Sequence, residues 1–188
     1  SPRARVLVVT SEVLSPLLDQ DDFNTAVLFA DAATATLVTS ADTDDAPLFA
    51  FARPTISGSP EGGDMLSVPR GGEGYIRMNG REVFADAVRA MTDTMTSACA
   101  TEGITLADID LMVPHQANQR IISAIAEKLG VPDANCFVNI DKCGNMSAAS
   151  LAVGLDQAVR TGRIRKKDIV LMVVFGGGFT WGATVIEW

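Results

Sequence analysis

Two strand–loop–helix segments constrain the fold of this chain more than any other feature of its sequence. In the first, an apolar run at residues 109–113 leads through a proline to His115, and a helical pattern follows from Gln119 to Leu129. In the second, an apolar run at residues 136–140 leads to Asn145, and another helical pattern follows. This repetition is typical of layered α/β domains, in which loops after the carboxyl ends of strands collect polar groups. We therefore expect an α/β fold with His115 and Asn145 in two such loops.

Periodicity predicts the elements around these segments. Apolar residues spaced by three and four predict a helix at residues 81–101 that packs one face on a sheet. A further helix is expected from residue 146 or 147 to 160. An apolar run at residues 169–175 predicts a buried strand, residues 180–188 predict another strand, and three consecutive glycines lie between them.

The first part of the chain gives weaker signals. Residues 5–10 are a β-branched run of the kind buried in a central sheet, although almost nothing precedes them to pair with. Residues 26–30 and 35–39 are readable as a β-hairpin, and residues 48–53 as another strand. Residues 55–74 contain prolines and repeated glycines, which predict a long surface loop.

Composition excludes several classes of protein. With 188 residues, of which 47% are hydrophobic and 20% charged, the chain is expected to be globular. No apolar run of about 18 residues and no signal-peptide pattern occurs, so we expect a soluble, cytoplasmic protein that does not enter a membrane. The net charge of −8 argues against nucleic acid as a partner. Three cysteines without metal-ligand spacing indicate free thiols and no metal site.

The candidate functional residues leave alternatives open when they are considered one by one. His115 is the only histidine, and an imidazole can donate a hydrogen bond or act as an acid or base, but a lone histidine is more often structural. Asn145 follows a glycine, as residues in loops and helix caps often do. The glycines at 176–178 could present a backbone N–H to an oxyanion or form a hairpin turn.

Several motifs taken together indicate a family. They are residues 78–84 (MNGREVF), 113–123 (VPHQANQRIIS), 144–150 (GNMSAAS), 156–164 (DQAVRTGRI) and 175–182 (FGGGFTWG). In these motifs the chain resembles β-ketoacyl-acyl carrier protein synthase III, a condensing enzyme of the thiolase superfamily. The resemblance implies a thiolase-like layered α-β-α-β-α fold. Residues 1–42 would be the end of the N-terminal half, and residues 43–188 the C-terminal half.

The resemblance also implies roles for individual residues. The family uses a Cys-His-Asn set: the cysteine takes an acyl group from acyl-coenzyme A, and the enolate formed by decarboxylation of malonyl-acyl carrier protein attacks it. His115 and Asn145 match the histidine and asparagine that donate hydrogen bonds to the developing enolate. Gly177 matches the position whose backbone N–H completes the oxyanion hole. Asn118 and Arg120 match positions near the pantetheine arm and the carrier-protein docking surface.

The nucleophile is the main departure from the family pattern. None of Cys99, Cys136 or Cys143 occupies its motif, so the resemblance implies that the nucleophile lies outside this chain and that the chain alone is inactive. The implied partners are a missing N-terminal half, acyl carrier protein and acyl-coenzyme A, with a homodimer when complete and thioester substrates but no cofactor. Two alternatives stay open, namely a related acyltransferase of secondary metabolism and a non-catalytic subunit that binds a carrier protein.

Overall fold

The computed structural model describes residues 5–40, 50–71 and 74–188, which contain nine strands and five α-helices. The strands are β1 (Arg5–Glu12), β2 (Ala32–Thr39), β3 (Ala50–Phe51), β4 (Thr55–Gly58), β5 (Leu66–Ser67), β6 (Arg77–Met78), β7 (Leu111–Pro114), β8 (Ile169–Gly176) and β9 (Thr180–Glu187). The helices are α1 (Phe23–Ala26), α2 (Gly80–Thr101), α3 (Gln119–Leu129), α4 (Ile140–Cys143) and α5 (Ala149–Arg160). No described helix is long and apolar enough to cross a membrane.

The main sheet has β8 at its centre. Strand β7 lies parallel to β8, with Leu111 opposite Val170. Strand β9 is antiparallel to β8 on the other side and pairs in turn with β3 and β4. Nearly all residues of β7 and β8 are apolar and buried, as is typical of strands covered on both faces.

Helices cover both faces of this sheet. Alternate strand residues point to opposite faces, so Met112 and Leu171 pack with α2 and α3, whereas Leu111 and Val170 pack on the side of α5. Helix α5 also contacts β1 and β2, and it therefore lies between two sheets. The predicted helices at residues 81–101 and 119–129 are confirmed as α2 and α3, and the two predicted C-terminal strands are confirmed as β8 and β9.

Three of the predicted elements are wrong. Residues 26–30 are not a strand, because the Asp22 carboxylate accepts the Asn24 N–H and starts α1, and β2 pairs with β1 instead. Residues 136–140 form a single bridge, between Cys136 and Met112, before α4 begins. Residues 55–74 are not one loop, because β4 joins the main sheet and β5 pairs with β6.

Strand β1 lies where it was predicted, but its side chains are exposed rather than buried. It pairs antiparallel with β2, and no third strand of the described ranges joins this pair. Successive strand residues point to opposite faces, and both Val6 and Leu7 are more than half exposed. The predicted domain boundary after residue 42 lies outside the described residues.

Candidate active site

A cavity of about 760 Å³ lies where the loop after β7 meets the loop after α4. Its walls combine apolar side chains from several elements, among them Phe84 and Phe175, with seven polar or charged side chains. The predicted site residues on its lining are His115, Asn118, Arg120 and Asn145. Apolar walls combined with converging polar groups are typical of sites for small molecules. The structure thus brings together four of the five predicted site residues.

His115 is held by its backbone and leaves its ring to the cavity. Its N–H donates to the Val173 carbonyl at 2.7 Å, and its own carbonyl accepts the Ala117 N–H at 2.8 Å. Only 9% of the residue is exposed, and this burial lowers the pKa of the imidazole to about 4. No described residue hydrogen-bonds to the ring. Near pH 7 the ring is therefore neutral and has one N–H to donate and one nitrogen to accept.

Asn145 is fixed from three directions. Its backbone N–H donates to the Leu28 carbonyl at 2.8 Å, and its carbonyl accepts the Ala30 N–H at 2.9 Å. Its side-chain Oδ1 accepts the Ser147 N–H at 2.9 Å, so Nδ2 points the other way, toward the Ala117 carbonyl at 3.3 Å. One of the two hydrogens on Nδ2 remains for a ligand in the cavity.

The backbone conformation of Gly144 allows Asn145 to lie close to residues 28–30. Its φ of +69° and ψ of −173° lie in a region that only glycine adopts readily. A Cβ at this position would lie 2.9 Å from the Ala30 Cβ and 3.2 Å from the Leu28 carbonyl oxygen. The glycine therefore permits the close backbone contact between Asn145 and residues 28–30, which lie just before β2.

Asn118 and Arg120 lie at the start of α3. The Asn118 side chain accepts the Arg120 N–H at 2.8 Å and caps the helix. Arg120 is exposed and lies on the cavity wall. The cavity mouth thus has a helix N-terminus and a cation on one side, and both favour anionic groups.

Gly177 is the predicted site residue that the structure does not place on the cavity wall. It lies in the hairpin turn between β8 and β9. A Cβ on Gly177 would lie 3.2 Å from the Leu66 carbonyl oxygen, and Leu66 does line the cavity. The Gly177 backbone is therefore next to the wall rather than part of it.

None of the three cysteines lines this cavity. Cys99 and Cys136 are buried in the core, and burial raises the pKa of both thiols, that of Cys136 to about 12. Cys143 is half-buried, and its sulfur accepts a hydrogen bond from Gln157 at 3.5 Å. The described residues also contain no group of histidine, cysteine and carboxylate side chains that could hold a metal ion.

Two sets of residues at the site were not assigned a role from the sequence. Gln116 is completely buried and connects the loop that carries His115 to the segment that leads into α4. The start of α2, with Asn79 and Arg81, lines the cavity opposite α3. Both sets lie inside the motifs that carry the family resemblance, so membership in these motifs could have indicated that they belong to the site.

Two family models match the chain, one near each end. The model described as 3-oxoacyl-[acyl-carrier-protein] synthase III C terminal matches residues 99–188. The model described as 3-oxoacyl-[acyl-carrier-protein] synthase III matches residues 3–55. Together the two models match more than half of the chain and leave unmatched residues 56–98, which contain β5, β6 and most of β4 and α2.

Individual relatives agree with this result. A β-ketoacyl-[acyl-carrier-protein] synthase III of Nitratidesulfovibrio vulgaris is 43% identical over 199 residues, which cover 99% of this chain and 60% of the relative. The crystal structure of 3-oxoacyl-[acyl-carrier-protein] synthase III from Aquifex aeolicus has a TM-score of 0.90 and 38% identity, covering 98% of this chain and 58% of that one. A priming β-ketosynthase of a polyketide pathway has a TM-score of 0.84 and 30% identity, covering 97% of this chain and 57% of that one. The predicted α/β fold is thus confirmed, and the chain spans about three-fifths of these relatives' length.

Proposed function

The chain belongs to the 3-oxoacyl-[acyl-carrier-protein] synthase III family, and we propose that it supplies the histidine and asparagine of a condensing-enzyme active site. The proposed reaction is the decarboxylative condensation of an acyl-coenzyme A primer with malonyl-acyl carrier protein. The observation that supports it best is that His115 and Asn145, 30 positions apart and both buried, line one cavity.

The chemistry of the two side chains suits this reaction. Loss of carbon dioxide from a malonyl thioester places negative charge on the thioester oxygen. Because the pKa of His115 is about 4, its ring donates as a neutral group near pH 7, and Asn145 offers the free hydrogen on Nδ2. Each fixed donor of this kind typically contributes roughly 3 kcal/mol to stabilising an oxyanion in a dry site.

The cavity mouth suits a thioester carried on a long arm. Apolar walls that include Phe84 and Ile121 would exclude water from the arm. We assign Asn118 to contact with the pantetheine arm. Exposed Arg120 would attract an acidic carrier protein, because a cation at a binding rim mainly increases the association rate.

The nucleophilic cysteine would come from a further N-terminal part. The cysteines of this chain are buried or lie away from the cavity, so none is placed to hold the acyl group. The exposed side chains of β1 and β2 provide an apolar surface on which such a part would pack. Gly177, next to the cavity wall, would then complete the oxyanion hole with a backbone N–H of that part.

A carrier-protein-binding subunit without catalysis is the second candidate. It is favoured by the same observation, namely that no cysteine of this chain lines the cavity. This candidate predicts binding of a carrier protein but no release of carbon dioxide. A related acyltransferase would instead move acyl groups without decarboxylation.

The test is to join this chain to the N-terminal part of the Aquifex aeolicus relative and to supply acetyl-coenzyme A and malonyl-acyl carrier protein. We expect acetoacetyl-carrier protein and carbon dioxide to form together. A Cys143→Ser variant is the control and should retain full activity. A well-folded assembly that binds the carrier protein but releases no carbon dioxide would favour the second candidate, and acyl transfer alone would favour the acyltransferase.

A further inference from the structure

Gln116 lies in the loop after β7, which carries His115. It directly follows His115 and precedes Ala117, whose carbonyl accepts a hydrogen bond from the Asn145 side chain. The residue is 0% exposed, so it cannot contact a ligand or a partner. We propose that Gln116 is a positioning residue that sets the spacing between His115 and Asn145. This inference rests on the proposed function, since the spacing matters only if both side chains act on one ligand.

All four hydrogen-bonding positions of the Gln116 amide are occupied. Nε2 donates to the Pro114 carbonyl at 2.9 Å and to the Phe137 carbonyl at 3.2 Å. Oε1 accepts the N–H of Asn139 at 3.0 Å and that of Ile140 at 3.2 Å. A glutamine amide has two donor hydrogens and two acceptor lone pairs, so no capacity is left unused.

Three of these bonds join the loop after β7 to residues 137–140, which lead into α4, and the fourth returns to Pro114 at the end of β7. The N–H groups of Asn139 and Ile140 are at the first turn of α4, which would otherwise leave them unpaired. Helix α4 ends at Cys143, and Asn145 follows after Gly144. A shift at the first turn would therefore move Asn145 relative to His115, because only the short helix α4 and Gly144 separate Asn145 from the two N–H groups that Gln116 holds.

A buried amide with every bond made resists such a shift. Replacing it with an apolar side chain would leave two N–H groups and two carbonyls without partners, and buried polar groups without partners are destabilising. The loops would then rearrange to reach water or other partners. Rearrangement would open the cavity around His115, and this predicts a change at a residue that Gln116 does not itself hydrogen-bond.

The chain's single histidine makes the inference measurable without substrate. Carbon-13-labelled histidine gives one imidazole signal, and its pH titration gives the pKa of His115. In Gln116→Met, which keeps the side-chain length, we expect a folded chain in which this pKa rises by about one unit as the site takes up water. The side-chain amide signal of Asn145 should shift as well.

A matched control separates positioning from general stability. Thr92 is also a buried polar residue, and its hydroxyl donates to the Val88 carbonyl at 2.7 Å, away from the cavity. Thr92→Val should lower the melting temperature without moving the His115 pKa. Gln116→Glu keeps the acceptor and, when protonated, one donor, so it should produce a smaller shift than Gln116→Met.

Results from the Gln116 variants and from the wild-type chain could each overturn the inference. An unchanged His115 pKa and Asn145 signal in folded Gln116→Met would overturn it, and Gln116→Glu is judged by the same criterion if the methionine variant does not fold. In the wild-type chain, rapid hydrogen exchange at the N–H groups of Asn139 and Ile140 would overturn it independently. An inactive assembled enzyme would contradict the proposed function but leave these measurements intact.

Discussion

The side-chain amide of Asn145 donates a hydrogen bond of 3.3 Å to the carbonyl of Ala117, two residues after His115. This bond joins two loops that are 28 positions apart in the chain. It also fixes the direction of the amide group, because Oδ1 is held by the Ser147 N–H. Two side chains that donate to one ligand atom need such mutual orientation, since small displacements weaken both bonds.

The buried histidine predicts a particular dependence of stability on pH. The pKa of His115 is about 4 in the folded chain and about 6.5 when unfolded, so the unfolded chain binds more protons between these values. The free energy of unfolding should therefore fall as pH drops from about 6.5 toward 4. Between pH 7 and about pH 4.5, the histidine's share of the loss should be about 2–3 kcal/mol.

Comparing urea unfolding of the wild type and of His115→Gln at pH 7 and at about pH 4.5 isolates the histidine's share of the lost stability. Glutamine does not titrate, so the variant should lose less stability over the same interval, and the carboxylates common to both proteins cancel in the comparison. Equal losses in the two proteins would mean that the imidazole is not buried as a neutral group.

Gly144 predicts a large cost for adding one methyl group. Gly144→Ala should lower the free energy of unfolding by about 3 kcal/mol or more, because it combines an unfavourable backbone conformation with overlap onto Ala30. Gly130→Ala is the matched control: its φ is +66°, but nothing lies within 4 Å of the added Cβ. The control should cost only about 1–2 kcal/mol. Equal costs in urea unfolding would argue against close packing of Gly144 on residues 28–30.

Long periodic elements of the fold were predictable from the sequence, whereas short elements were not. Helices α2 and α3 have apolar faces repeated over several turns, and β8 is a continuous apolar run, so local pattern determines them. Residues 136–140 look like a strand, but the N–H groups of Asn139 and Ile140 bond to Gln116, which is more than 20 positions away. Such a distant partner leaves no mark on the local pattern.

The site was predictable only in part for the same reason. Pattern placed His115 and Asn145 in loops, and the family resemblance paired them, but the distance between their loops depends on tertiary packing. Local pattern also missed the exposure of β1, because a β-branched strand has the same sequence whether or not another layer covers it.

The exposed β1–β2 pair predicts that the chain associates with itself. Leu7 is 62% exposed and Val9 is 60% exposed, on the same face of β1. Sedimentation at several concentrations should show oligomers, and Leu7→Lys with Val9→Lys should shift them toward monomer. Ile56→Lys, at a 77% exposed position on β4, is the control and should have little effect. A monomer at all concentrations would contradict this prediction.

Thiol reactivity should differ among the three cysteines. Cys99 and Cys136 are buried with raised pKa values, so at pH 8 both remain protonated and shielded. Cys143 is half-exposed and should react first with an alkylating reagent, with one adduct seen by mass spectrometry before unfolding. Fast labelling of Cys136 in the folded chain would show that its core environment is described incorrectly.

The most direct test of the central claim is the rate of carbon dioxide release from malonyl-acyl carrier protein by the chain joined to an N-terminal part. His115→Ala and Asn145→Ala should each lower kcat about 10²- to 10³-fold, because each would remove one of the two proposed donors to the enolate oxygen. Asn24→Ala, the same kind of change at another residue of the cavity wall, should leave kcat nearly unchanged. Wild-type rates in both the His115 and Asn145 variants would show that this pair does not carry the chemistry.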